Sequence, residues 1–109
     1  MFHDHDTLED IRLAAEQAIA YCSEVSKQRF RTSPLYQDAT IRQLEIVGEA
    51  VKRLSDELKA RNNKIQWRRF AGIRNLLIHE YDSIDVDKVW QVVKRDLPKL
   101  LNQLKQVSI

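Results

Sequence analysis

Apolar residues recur along this chain at alternating steps of three and four. Over residues 7–27 the stripe is Leu8, Ile11, Ala15, Ala18, Cys22 and Val25, the a/d spacing of a packed helical seam. Asp6 or Thr7 is placed to cap that helix, with Glu9 and Asp10 complementing its dipole. A break is expected over residues 29–34, where Thr32-Ser33-Pro34 reads as a turn into a new helix start. The second helix is predicted over residues 35–60, with Leu44, Val47, Val51, Leu54 and Leu58 as its seam. Arg42, Glu45, Glu49, Lys52 and Arg53 occupy its other faces three or four apart. Of these, Arg42, Glu45 and Glu49 read as surface pairs or as the polar lining of a cleft between two copies. Gly48 inside this helix costs up to about 1 kcal/mol relative to Ala. Its use is then close approach of another backbone, within the chain or across a dimer.

Arg61-Asn62-Asn63 makes a polar break. A shorter third helix follows over residues 66–79 or 66–81, bearing Trp67, Phe70, Ile73 and Leu77 on one stripe. Asp82-Ser83 interrupts the pattern, and Asp85 can cap a fourth helix over residues 86–107. Its seam is Val86, Trp90, Val93, Leu97, Leu100, Leu104 and Val107. Pro98 lies within it and should kink it or start a new segment capped by Asp96. Three long seams with a period near 3.5, joined by short breaks, predict an all-α, antiparallel four- to five-helix bundle. With 109 residues, one domain over residues 1–109 accounts for the whole chain.

Composition narrows the class. Hydrophobic residues at 43% and charged residues at 31%, with two Gly and two Pro, exclude a disordered or low-complexity polymer. The net charge of +2 permits a polyanionic partner without arguing for one. Lys59, Arg61, Lys64, Arg68, Arg69 and Arg74 run without an intervening acid, as a solvated face or a phosphate-binding one. No apolar run is long enough to span a membrane, and residues 1–6 lack a basic-then-apolar leader. The single Cys22 cannot form an internal disulfide and sits on a seam, as a core residue would. A cytoplasmic protein is expected. His3-Asp4-His5-Asp6 resembles a metal cluster, but no further ligands follow at suitable spacing. No glycine-rich phosphate loop, serine nucleophile arrangement or Cys-x-x-Cys pair occurs, and neither metal nor cofactor is expected. Trp67 and Trp90 fit core or dimer packing better than base stacking.

Chemistry concentrates in Arg74-Asn75-Leu76-Leu77-Ile78-His79-Glu80-Tyr81. On a regular helix Asn75 and His79 share a face, whereas Arg74 and His79 diverge by about 140°. An Arg–His pair therefore needs a helix that loosens near His79, long side chains reaching round, or a second copy. Such a pair suffices for metal-free RNA cleavage. The imidazole takes the proton from a ribose 2′-hydroxyl or delivers one to the leaving oxygen, while the guanidinium stabilises charge growing on the phosphate. Asn75 can orient the imidazole, and Tyr81 can bond phosphate or stack on a base. The plainer reading pairs Arg74 with Glu80 on the surface and leaves His79 to cap a helix C-terminus.

Arg74-x-x-x-x-His79-x-Tyr81 is similar to the R-x-x-x-x-H-x-Y motif of the HEPN superfamily. Residues 38–50 and 65–75, with Val89-Trp90 and Asp96-Leu97-Pro98, resemble blocks of its HepT-like toxin branch. The resemblance implies an all-α domain that dimerises, bringing the Arg and His of both copies to a shared cleft. It implies a metal-independent ribonuclease, the toxin of a type VII-like toxin–antitoxin module, with RNA as substrate. Its partner would be a minimal nucleotidyltransferase (MNT) antitoxin that silences it by AMP transfer. By position, Arg74 and His79 are then the catalytic pair, Asn75 and Tyr81 supporting residues, and Tyr81 the AMPylation site. Many relatives carry Gly between the motif His and Tyr, whereas this chain has Glu80. The alternative is a non-catalytic helical partner of a nucleotidyltransferase or RNA.

Overall fold

The computed structural model describes residues 3–78 and 83–107. Helix α1 (Asp4–Ser23) starts three residues before the predicted position, because neither expected cap is used as one. Thr7 is buried within the helix, and its hydroxyl donates to the His3 carbonyl. The helix also ends earlier than predicted, with the Glu24 amide closing a tight last turn on the Tyr21 carbonyl. Part of the expected break is itself helical: α2 (Lys27–Thr32) is capped by Ser26, whose hydroxyl accepts from the Arg29 amide. One turn and a half is too short to show periodicity in sequence. What fixes α2 is Phe30, fully buried and tilted against Trp90 at 5.3 Å between ring centroids.

Helix α3 (Pro34–Arg53) begins where predicted, with Pro34 in its first turn and the Ser33 hydroxyl accepting from the Tyr36 amide. The predicted single helix over 35–60 is in fact two. Leu54 and Ser55 are extended, and α4 (Asp56–Arg61) restarts beyond them. Ser55 caps α4 by accepting from the Leu58 amide, and it gives its own amide and hydroxyl to the Asp4 carboxylate at 2.9 and 2.5 Å. These hydrogen bonds hold Asp4 below the usual carboxylate range. The heptad seam runs through the break, since Leu54 and Leu58 are both buried.

Contacts between element ends give the helix directions. Asp10 near the start of α1 pairs with Arg53 at the end of α3, and Cys22 at the end of α1 meets Thr40 near the start of α3. The two long helices are therefore antiparallel. The last part of the chain comprises α7 (Val86–Gln91), a π-helical turn (Val92–Asp96) and α8 (Leu97–Leu104). Lys94 donates to the Cys22 carbonyl, while Leu101 and Leu104 face Leu8, so this run is antiparallel to α1 as well. Asp85 caps α7 as predicted, accepting from the Lys88 amide.

Pro98 explains the π-helical turn. It has no amide to offer the Lys94 carbonyl, and its ring would crowd that group in a regular α-helix. The chain widens by one residue instead, with the Leu97 amide donating to the Val92 carbonyl. A new segment starts at Leu97, but Asp96 does not cap it. Asp96 has helical angles, and its carboxylate accepts from Arg69 at 2.8 Å. Ile11, Ala15, Ala18, Leu44, Val47, Val51, Val93 and Leu97 from the three long runs form the centre of one core. Among the described residues every regular element is helical, and no helix is long and apolar enough to cross a membrane.

Candidate active site

The polar break at residues 61–63 forms where predicted. The Asn62 carbonyl accepts from the Ile65 amide and from the Trp67 indole, which fixes the turn entering the next helix. The predicted third helix divides at Gly72 into α5 (Trp67–Ala71) and α6 (Ile73–Leu77). Neither has a side-chain cap, and five residues are far too few for autonomous helix formation. Packing on α3 holds them. A Cβ added at Gly48 would lie 2.9 Å from Ile73 Cγ2 and 3.0 Å from the Phe70 carbonyl oxygen. The close approach inferred from Gly48 is therefore made within the chain, by the α5–α6 elbow.

That seating orients Arg74. Helix α6 buries Ile73 and Leu77 against the core and leaves Arg74 and Asn75 exposed. The Arg74 side chain is 77% accessible, and its Nη1 lies 3.9 Å from Glu45 Oε2 on α3. An ion pair at that separation and exposure contributes a fraction of a kcal/mol at most, so the guanidinium is available to another anion. On α3, Glu45 is the ion-pair partner of Arg74 among the described residues; Glu49 pairs with Lys52, and Arg42 is exposed. Sequence spacing could not reveal the Glu45 contact, because it spans 29 positions through the tertiary fold.

Helix α6 stops at Leu77, and Ile78 is extended at φ −79°, ψ 134°. Ile78 forms an isolated antiparallel bridge with Ile84, and the Asp85 amide donates to the Leu77 carbonyl at 2.8 Å. The regular-helix assumption behind the 140° divergence thus fails at the residue before His79. Arg74 stands in the last turn of a helix, one of the arrangements anticipated for it. His79, Glu80, Tyr81 and Asp82 lie outside the described residues. The Arg74–His79 pairing, the support of His79 by Asn75, the Arg74–Glu80 alternative and the placement of Tyr81 all fall there.

The remaining candidates have structural roles. Cys22 is buried beside Thr40, and burial pushes its thiol up, away from the reactive thiolate. Trp67 is 7% exposed; Trp90 packs on Phe30 with Lys94 Nζ 4.7 Å from its ring centre. Within the N-terminal His/Asp stretch, the Asp4 carboxylate is engaged by Ser55. No group of three or more potential metal ligands occurs among the described residues.

Comparison with known proteins supplies the family. The model of the ribonuclease HepT-like family matches residues 11–107. A "probable ribonuclease HepT" of Thermococcus cleftensis is 37% identical over 102 residues, covering 94% of this chain and 93% of the relative. A protein of Caldanaerobacter subterraneus named "Putative RNase" is 35% identical over 100 residues, covering 92% and 89%. A "Gamma-glutamylcyclotransferase and putative RNase" of Methanocaldococcus jannaschii is 40% identical over 100 residues; these are 92% of this chain but 43% of that longer protein. No solved structure gives a significant match. The family match spans every described helix except the start of α1, and the chain belongs to the HepT-like ribonuclease family of the HEPN superfamily.

Proposed function

We propose that this protein is a metal-independent endoribonuclease in which Arg74 and His79 form the catalytic pair. The observation that carries this reading is the exposed Arg74 guanidinium, loosely held by Glu45 and mounted on α6, the short helix that ends at Leu77, two residues before His79. An exposed guanidinium offers a planar fork to a phosphodiester and stabilises the charge that grows on its non-bridging oxygens. His79 takes the proton from the 2′-hydroxyl, whose oxygen attacks phosphorus. The bond from phosphorus to the 5′-oxygen breaks, and that oxygen takes up a proton from water as it leaves. The products are a 2′,3′-cyclic phosphate and a 5′-hydroxyl. Asn75, exposed beside Arg74, supports the site.

The active form in this reading is a homodimer, with the motifs of both copies around one cleft. The protein is then the toxin of a type VII-like toxin–antitoxin module in the cytoplasm. An MNT-type nucleotidyltransferase silences it by transferring AMP to Tyr81. In that step the phenol oxygen bonds the α-phosphorus of ATP and pyrophosphate leaves. The added phosphate and nucleoside would neutralise Arg74 or fill the cleft.

The test is incubation of the unmodified protein with cellular RNA in excess EDTA, beside Arg74→Ala and His79→Ala. Cleavage by wild type alone, leaving cyclic phosphate ends, is expected. Cleavage abolished by EDTA would remove metal independence, and other product ends would remove the 2′-hydroxyl mechanism. No cleavage by folded protein with Tyr81 verified unmodified would leave a non-catalytic binding partner. Co-expression with the antitoxin should add the mass of AMP, and Tyr81→Phe should not acquire it.

A further inference from the structure

From Leu58 to His79 the chain carries six Lys and Arg and no acid. The fold engages two of the six, Arg69 by Asp96 at 2.8 Å and Arg74 by Glu45 at 3.9 Å. Lys59, Arg61, Lys64 and Arg68 make no side-chain hydrogen bond or ion pair among the described residues. Arg61, Lys64 and Arg68 are exposed, and Lys59 is half-buried. Lys59 and Arg61 act at a distance on the Asp4 carboxylate, which already receives two hydrogen bonds from Ser55.

These four cations border two open depressions on either side of the α4–α5 turn. One, of about 520 Å³, has Lys59 and Arg68 on its rim. The other, of about 320 Å³, has Arg61 and Lys64, joined by the amides of Gln103 and Gln106. Asn63 and Ile65 line both, so the two are continuous around the turn. Guanidinium, ammonium and amide donors around such adjoining depressions fit the phosphate and sugar oxygens of a strand. A protein partner would want an apolar anchor here. Ile65 and Trp67 are only 6% and 7% exposed, the Trp67 indole donates to Asn62, and the exposed large apolar residues Leu13, Leu35 and Ile84 lie elsewhere.

We propose that the α4–α5 turn is a second RNA-binding surface, which grips substrate phosphates away from the scissile bond and feeds the strand toward Arg74. The inference rests on the ribonuclease reading above. Helices α5 and α6 connect the two places directly, with nine residues between Lys64 and Arg74. This surface contributes affinity rather than chemistry.

The test is an Arg61→Ala/Lys64→Ala/Arg68→Ala variant, with Arg61→Lys/Lys64→Arg/Arg68→Lys as the charge-preserving control. On a long single-stranded RNA the alanine variant should show KM raised about tenfold or more with kcat unchanged, and the control should stay near wild type. RNA binding by His79→Ala carrying the three alanines should lose about two from its slope of log affinity against log salt, at roughly 0.7 per phosphate contact. An unchanged thermal midpoint checks that the fold is intact. If wild type cleaves RNA while KM and salt slope are the same in the alanine variant, the second surface is overturned and the ribonuclease reading stands. If wild type neither binds nor cleaves RNA, both fall. If the alanine variant loses an acidic protein partner yet keeps its RNA affinity, the surface belongs to that partner and the proposal is overturned.

Discussion

The α1–α3 seam and the α5–α6 elbow are both seated on α3, yet they are held in different ways. Along the seam two 20-residue helices bury Ile11, Ala15, Ala18 and Cys22 against Leu44, Val47 and Val51. Polar contacts tie both ends, from Asp10 to Arg53 and from Cys22 to Thr40. The elbow consists of two five-residue helices whose approach to α3 depends on the absent side chain of Gly48. Redundant contacts make the seam tolerant of small adjustments. At the elbow one close contact sets where Ile73, and with it Arg74, comes to rest. The fold keeps its stability in one place and its candidate chemistry in another.

The largest effect should come from the seam. Leu44 is fully buried, so Leu44→Ala removes core contacts and leaves a cavity, at a cost of about 2–5 kcal/mol. Chemical denaturation would measure it. At temperatures where the variant remains folded, cleavage per folded molecule should be close to wild type. A selective loss of activity would show that the seam and the site are coupled after all.

Gly48→Val reverses the pattern. The new side chain must displace Ile73 Cγ2 and the Phe70 carbonyl, and overpacking of that kind costs about 1–3 kcal/mol. Because the displaced atoms carry α6, turnover should fall by more than the fraction unfolded accounts for. Gly48→Ala should be milder, since the gain in helix propensity, up to about 1 kcal/mol, offsets part of the clash. Normal turnover in folded Gly48→Val would mean that something other than this contact positions Arg74.

A smaller effect is expected where the seam meets α4. Ser55→Ala removes the cap of α4 and both roles of the hydroxyl, for a loss of about 1 kcal/mol. The Asp4 carboxylate supplies a pH signature. Its folded value is depressed, so its contribution is present above the ordinary carboxylate range and disappears as pH falls through the depressed value. Melting curves of wild type and Asp4→Asn should therefore differ near neutrality and converge in acid. A constant gap across that range would remove the linkage between Asp4 and Ser55.

The seams were legible in sequence because burial imposes a period, and Leu8 through Leu104 supply enough turns to show it. Helix ends were less so. A period cannot distinguish one helix from two that share a stripe, and so Leu54 and Leu58 masked the break at Ser55. Phe30 carries too little sequence around it to announce α2. Gly48 and Pro98 were legible as local conflicts, a residue that weakens a helix and one that cannot continue it. Their resolutions, the seating of Ile73 and the π-helical turn, depend on neighbours distant in sequence. Asp96 was assigned to the nearest helix end, whereas tertiary packing gave it Arg69. The R-x-x-x-x-H-x-Y spacing nominated Arg74 as a candidate, but the Glu45 contact with Arg74 needed the fold.

The smallest stability effect should come from the residue expected to matter most for activity. Arg74 is 77% accessible, and its 3.9 Å contact with Glu45 is between exposed groups. Arg74→Ala should therefore change unfolding free energy by no more than about 0.5 kcal/mol in either direction. Cleavage, in contrast, should be lost, because phosphate charge then has no fixed counter-charge at the end of α6. Replacing Glu45 by Gln separates the two roles of that contact. It should leave stability as it is and lower KM, since the carboxylate competes with substrate phosphate for the same guanidinium. A clear loss of stability in Arg74→Ala would instead make the contact part of the scaffold. The division between a redundantly packed seam and an exposed, lightly held arginine would then fail where it is sharpest.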